Sequence, residues 1–195
     1  MIMTLRVADA TRIWTKDGHV ESRVKELWQG RKTLDLVEIL DLDIPLRDRL
    51  WLLVHGDVLP LQVHALLNCR FAKHTLPIFE RQVPDDPRPR EALAVAYKYV
   101  NEEVPHEEKE VAYNEALDAS HSGGGSDIDA ASMAAYAVAQ AVGGSVLGAS
   151  RGAVSAAELD AAQDYPDEAS KAAKAAEEVW QTEQIKEIVA RYWEK

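Results

Sequence analysis

Cys69-Arg70-Phe71-Ala72-Lys73-His74-Thr75-Leu76-Pro77-Ile78-Phe79-Glu80 is the stretch on which the fold turns. Taken from Pro60 onward, Val63, Leu66, Leu67, Phe71 and Ile78 recur at the three- and four-residue spacing of an apolar helical stripe. Pro60 suits a helix start, where its missing N–H costs nothing, and Pro77 falls close to the end. Arg70 and His74 lie on or beside the stripe, one turn apart. A cation pointing inward needs a partner, because an unpaired buried charge is expensive. Glu80, Asp85 and Asp86 follow as candidate carboxylates. The next helix opens Arg88-Pro89-Arg90-Glu91, with Arg90 aligned to Leu93, Tyr97 and Val100. The pattern predicts one mixed-charge cluster at the junction of two helices.

Helical signals extend in both directions. Thr33 is read as the cap of a short helix through Leu40, and Asp43 as the cap of one carrying Leu46, Leu50, Leu53 and Val54. Further helices are expected from about Pro89 to Asn101 and from about Pro105 to Ser120. Ser120-His121-Ser122-Gly123-Gly124-Gly125-Ser126 is a loop by composition, so 120–126 is expected to be flexible. Ser126 or Asp127 would then cap an alanine-rich helix through Val142. Ser155-Ala156-Ala157-Glu158 reads as a capping box, and Pro166 as the start of a terminal helix ending near Trp193. Alanine favours helix and lets axes approach closely, with Met133, Tyr136, Val138, Val142, Val146 and Leu147 punctuating the run. The one candidate for β structure is a short N-terminal hairpin, Thr11–Thr15 and His19–Glu21 flanking an Asp17-Gly18 turn. The expected architecture is an all-α, multi-helix bundle with an alanine-rich C-terminal half. Residues 23–195 would form a single helical domain, and 1–22 an N-terminal appendage.

Composition narrows the function. The chain has 195 residues, 47% hydrophobic and 28% charged, a globular balance. Its formal net charge of -11 repels nucleic acid and anionic membrane and attracts a basic protein. Cys69 is the single cysteine, so no internal disulfide can form, and a reducing cytoplasm is the expected home. The N-terminus carries no secretion signal, and no apolar run approaches the roughly 20 residues of a membrane span.

The residue patterns offer binding more readily than chemistry. Arg70, His74, Asp85, Asp86, Arg88 and Arg90 are either a structural ion-pair network or a clamp for a phosphate or carboxylate. Gly124, in a glycine-rich loop before a helix, offers backbone N–H groups to a phosphate, and Arg151 could add a cation; the P-loop lysine and its preceding strand are missing. Glu102, Glu103, Glu107, Glu108 and Glu110 are either a solvated face or a docking surface for a basic partner. Spacings of five and ten among His64, Cys69 and His74 do not share a helix face, and His19, His55, His106 and His121 form no ligand-spaced pair. Neither metal nor cofactor is expected. Cys69 is read as a small buried hydrophobe rather than a nucleophile. With no nucleophile–base set and no acid–base pair, the protein is not read as an enzyme.

His64-Ala65-Leu66-Leu67-Asn68-Cys69-Arg70-Phe71-Ala72-Lys73-His74-Thr75-Leu76-Pro77-Ile78-Phe79-Glu80, followed by Pro84-Asp85-Asp86-Pro87-Arg88-Pro89-Arg90-Glu91-Ala92-Leu93, resembles the Imm-5-like family of immunity proteins. Its members share a pattern of the form C-A-E-x-x-L-P-I-F-E and then D-D-x-R-P-R-x-A. Lys73 stands here where an acidic residue is common. The resemblance covers residues 33 to 190 in outline, with its specific core at 64–97. It implies a helical domain that neutralises a polymorphic toxin, a role assigned to the family chiefly from gene neighbourhoods, and it carries over no binding residue. The expected function is a non-enzymatic, immunity-type binder of a basic toxin domain or other protein. The alternative is a sponge for a phosphorylated or nucleotide signal, as in phage anti-defence, motivated by the arginine–histidine cluster. A second copy of the chain is a further partner compatible with either.

Overall fold

The starts and stops written into the sequence are realised in a computed structural model that describes residues 4–16, 21–55, 58–121, 129–162 and 168–193. Among the described residues the order is β1 (Thr4–Arg6), α1 (Val7–Lys16), α2 (Glu21–Trp28), β2 (Thr33–Asp35), α3 (Leu36–Leu40), α4 (Leu46–His55), α5 (Leu61–Gln82), α6 (Arg88–Val100), α7 (His106–His121), α8 (Ala130–Gly143), α9 (Val146–Ala162) and α10 (Glu168–Trp193). The fold class is the expected all-α bundle with a short two-stranded sheet near the N-terminus.

That sheet is not the expected hairpin. Thr11–Thr15 lies inside α1, because Ala10 and Ile13, three residues apart, bury one helical face. The strands are instead β1 and β2, antiparallel, with Thr4 opposite Asp35, Leu5 opposite Leu34 and Arg6 opposite Thr33. Leu5 and Leu34 form a buried cross-strand pair that joins the large hydrophobic core. The Asp17-Gly18 turn lies outside the described residues. Thr33, taken by the strand, cannot cap α3. Asp35 does so with a complete capping box: Glu38 N donates to Asp35 Oδ1 at 2.9 Å, and Asp35 N donates to Glu38 Oε2 at 2.8 Å.

Pro60 opens α5 as expected, its carbonyl accepting from Val63 N and His64 N. Pro77 does not end the helix, which runs on to Gln82. α5 is the axis of the bundle, packed against α6, α8, α9 and α10. α8 is buried on most sides, with nine of its 14 residues inside, seven of them alanine. Asp129 caps it, accepting from Ser132 N at 2.7 Å; Ser126 and Asp127 lie outside the described residues. The capping box expected at Ser155 is absent because α9 has already begun at Val146, after a turn through the left-handed Gly144.

The α8–α9 crossing depends on one hydrogen atom. A Cβ on Gly152 would sit 2.9 Å from both Cα and Cβ of Ala137, a distance that real contacts do not tolerate. A Cβ on Gly148 meets only the side chain of Gln140, Cγ at 2.8 Å and Cδ at 2.9 Å, with no backbone in the way, so a change of Gln140 rotamer makes room. Gly152→Ala should therefore lower stability by about 1–3 kcal/mol, despite the roughly 1 kcal/mol that alanine gains over glycine inside a helix. Gly148→Ala should be neutral or stabilising. Urea unfolding of the two variants checks the contrast; equal stability would mean that the helices slide apart without penalty.

Candidate functional site

Arg70 and His74 do leave the same side of α5, but they reach α10 rather than the Asp85-Asp86 turn. His74 Nδ1 lies 2.9 Å from Glu177 Oε2, and its ring stacks on Trp180 with centroids 3.6 Å apart and planes 14° from parallel. Arg70 Nη1 donates to Gln184 Oε1 and to Glu187 Oε2, the latter at 3.3 Å. Glu187 Oε1 takes Arg191 Nη2 at 2.7 Å, so one carboxylate bridges two guanidiniums.

Glu177 is only 4% exposed, an expensive place for a carboxylate unless it is fully bonded. Its second support is Gln181, whose Nε2 donates to Glu177 Oε1 at 2.9 Å. Gln181 is itself buried and extends the chain to α9, accepting from Ser150 Oγ at 2.6 Å and donating to Ser150 O at 3.3 Å. A continuous polar seam thus ties α5, α10 and α9 together in the interior of the bundle.

Asp86, in the acidic turn after α5, finds its partner locally. Arg88 grips Asp86 with two bonds, Nε to Oδ1 at 2.9 Å and Nη2 to Oδ2 at 2.6 Å, while Arg88 N donates to Oδ1 at 3.1 Å. The Arg88 hydrogen bond holds the Asp86 carboxyl below its ordinary range. Arg90 Nε reaches Glu80 Oε1 at 2.7 Å, and Asp85 is exposed. The single mixed-charge cluster expected at this junction is therefore two separate groups. Sequence-near carboxylates take Arg88 and Arg90, and α10 takes Arg70 and His74.

The remaining candidates stand apart. Arg151 is exposed on α9, its Nη2 3.5 Å from Tyr136 Oη, in a second cleft with Ser120, His121, Ser155 and Glu158. Gly124 lies outside the described residues. Cys69 is buried, and burial pushes its thiol up to about 12, which keeps it protonated and inert as a nucleophile. Among the described residues no group of three His, Cys, Asp or Glu side chains could hold a metal ion. No described helix is long and apolar enough to cross a membrane.

Glu102, Glu103, Glu107, Glu108 and Glu110 are all exposed, spread over the α6–α7 turn and the first two turns of α7. His106 Nε2 lies 3.3 Å from Glu110 Oε1, and Lys109 Nζ sits 4.8 Å over the Tyr99 ring. Exposed Val111 adds an apolar side chain beside the carboxylates. The turn itself closes α6 with paired bonds, Glu102 N to Tyr99 O and Glu103 N to Lys98 O. That motif places Glu102 at φ 60, a left-handed position ordinarily filled by glycine.

Sequence reasoning missed the α10 half of the seam. The available signal was the helical period of Glu177, Gln181, Gln184 and Ile188, which puts three polar side chains on a core-facing stripe.

Two predictions follow from these pairings. His74→Ala should cost about 2–3 kcal/mol, since it strands a buried carboxylate and loses the stacked ring, and His74→Ala with Glu177→Gln should cost less than His74→Ala alone. A double-mutant cycle by chemical denaturation checks this; simple additivity would rule out the coupling. Because the folded-state pKa of Asp86 is depressed, its contribution is complete above the ordinary carboxylate range near pH 4 and is lost as pH falls through the lowered value. Asp86→Asn should therefore remove part of the stability lost on acidification below about pH 4, measured by unfolding at a series of pH values.

Residues 62–188, which span α5 to near the end of α10 and include the Arg70–Glu187 and His74–Glu177 contacts, match the family model described as "Imm-5 like putative immunity protein". No curated protein and no solved structure matches the chain. With nearly two thirds of its length matched, the chain belongs to the Imm-5 like immunity protein family.

Proposed function

We propose that this protein neutralises a toxin domain by binding it, without chemistry of its own, and that the acidic α6–α7 turn is the docking face. The observation that carries this reading is Glu102. Its left-handed backbone would be better served by glycine, since a Cβ there is strained by about 1 kcal/mol. Its side chain is exposed and bonded to nothing among the described residues, so the carboxylate gives the fold nothing in return. A charge kept at a strained position points to a use outside the fold.

The surroundings suit that use. Glu103, Glu107, Glu108 and Glu110 carry the same sign, and Val111 supplies a desolvating apolar centre beside a charged rim. The complementary partner is a basic toxin domain, which the net charge of -11 would also steer from a distance. The reaction-free role fits a protein acting in the cytoplasm, where the Cys69 thiol stays reduced. The nucleotide-sponge reading draws no comparable support, because Arg88 and Arg90 each hold a carboxylate near them in sequence, while Arg70 and Arg151 line different clefts, so the cations it would need stand apart.

The test uses the full chain and the toxin-domain product of an adjacent gene, with binding kinetics followed by surface plasmon resonance at several salt concentrations. Glu107→Lys with Glu108→Lys should slow association about tenfold or more at low salt, and the difference should shrink as salt screens it. Glu102→Gly should separate fold from function: stability should rise by about 0.5–1 kcal/mol while association slows. Unchanged association in both variants would remove the turn from the interface. Failure to bind any neighbouring product would remove the neutralising role.

A further inference from the structure

The walls of a second surface feature reverse the sign of the molecule. Leu66 and Arg70 of α5, Tyr97 of α6, and Ile188, Arg191 and Tyr192 of α10 line a cleft of about 870 Å³, within the size range of small-molecule sites. Among the described residues two guanidiniums face it and no carboxylate does, in a chain with 33 Asp and Glu against 22 Lys and Arg. Leu66 is 37% exposed, although it belongs to the apolar stripe of α5.

Glu187 stands behind both arginines, Oε2 at 3.3 Å from Arg70 Nη1 and Oε1 at 2.7 Å from Arg191 Nη2. These are the only carboxylate contacts of either guanidinium among the described residues, so each keeps N–H donors for another acceptor. Among the described residues, two cations less one anion leave a single net positive charge at this wall. That balance suits a monoanion rather than a polyphosphate. Tyr97 is a neutral donor here, because burial pushes its phenol above the ordinary value.

We propose that this cleft binds a small amphipathic monoanion, a carboxylate carried on an aromatic or branched apolar body. The carboxylate takes the open donors of Arg70 and Arg191, and the body lies between Leu66, Tyr97, Ile188 and Tyr192. Arginine's fixed fork gives the carboxylate a direction, while the apolar walls gain from desolvating the body. The site is independent of the acidic turn and does not need the toxin-binding reading.

Full-length, nitrogen-15-labelled protein titrated with phenylpropionate, followed by amide chemical shifts, tests the proposal. Saturable shifts concentrated at Leu66, Arg70, Tyr97, Ile188 and Arg191 are expected. Phenylpropionamide, which has the body without the charge, and acetate, which has the charge without the body, should each bind at least about tenfold more weakly. Arg191→Gln should weaken phenylpropionate about tenfold. Arg191 is largely exposed, so the variant should keep the parent spectrum elsewhere. Arg151→Gln, in the other cleft, should leave binding unchanged. Shifts that do not saturate, that phenylpropionamide or acetate reproduces at equal strength, or that survive Arg191→Gln unaltered would overturn the proposal.

Discussion

A carboxylate inside an apolar bundle sets terms for everything around it. Glu177 can stay buried only if polar partners meet it, and these come from two places: His74 on α5 and Gln181 one turn along α10. Gln181 in turn needs Ser150 of α9. Apolar contacts alone would allow α10 to slide or rotate over α5, since a methyl group accepts many neighbours. Hydrogen bonds do not, so the seam selects one register among several that hydrophobic burial would accept. Trp180 completes the constraint by covering the imidazole that holds the carboxylate.

The other side of the bundle achieves definition by the opposite means. α8 and α9 carry few polar groups between them, and their mutual fit comes from an absence of atoms, with Gly152 set against the backbone of Ala137. Alanine and glycine bring the axes together until dispersion is at close range, which leaves little tolerance for added volume. α5 lies between these regimes, bonded to α10 along one side and packed on α8 along another.

Much of this was legible in local sequence. The apolar period after Pro60, the Asp-Pro and Arg-Pro punctuation before α6 and the alanine run of α8 act over a few residues, and each produced its helix. What was hidden required knowledge of distant partners. Arg70 and Gln184 are 114 residues apart, whereas Asp86 and Arg88 are two apart. Two of the plausible neighbours of Arg70, Asp86 and Glu80, are held by Arg88 and Arg90, which lie nearer to them in sequence. The N-terminal segment misled for a related reason. The threonines, isoleucine and tryptophan of Thr11–Thr15 favour strands, but Ala10 and Ile13 gain more by burying one helical face, a case of packing overriding propensity. The serine–glutamate pair at 155 and 158 shows that a capping motif signals a start only where the preceding chain has stopped being helical.

The contrast between the seam and the α6–α7 turn bears on how such a protein can change over time. Residues of the seam are bound to one another, so a substitution there must be answered by a second one across the interface. The carboxylates of Glu102, Glu103, Glu107 and Glu108 anchor nothing in the core. A lineage can therefore rewrite their charge and order one residue at a time while the helices beneath stay as they are.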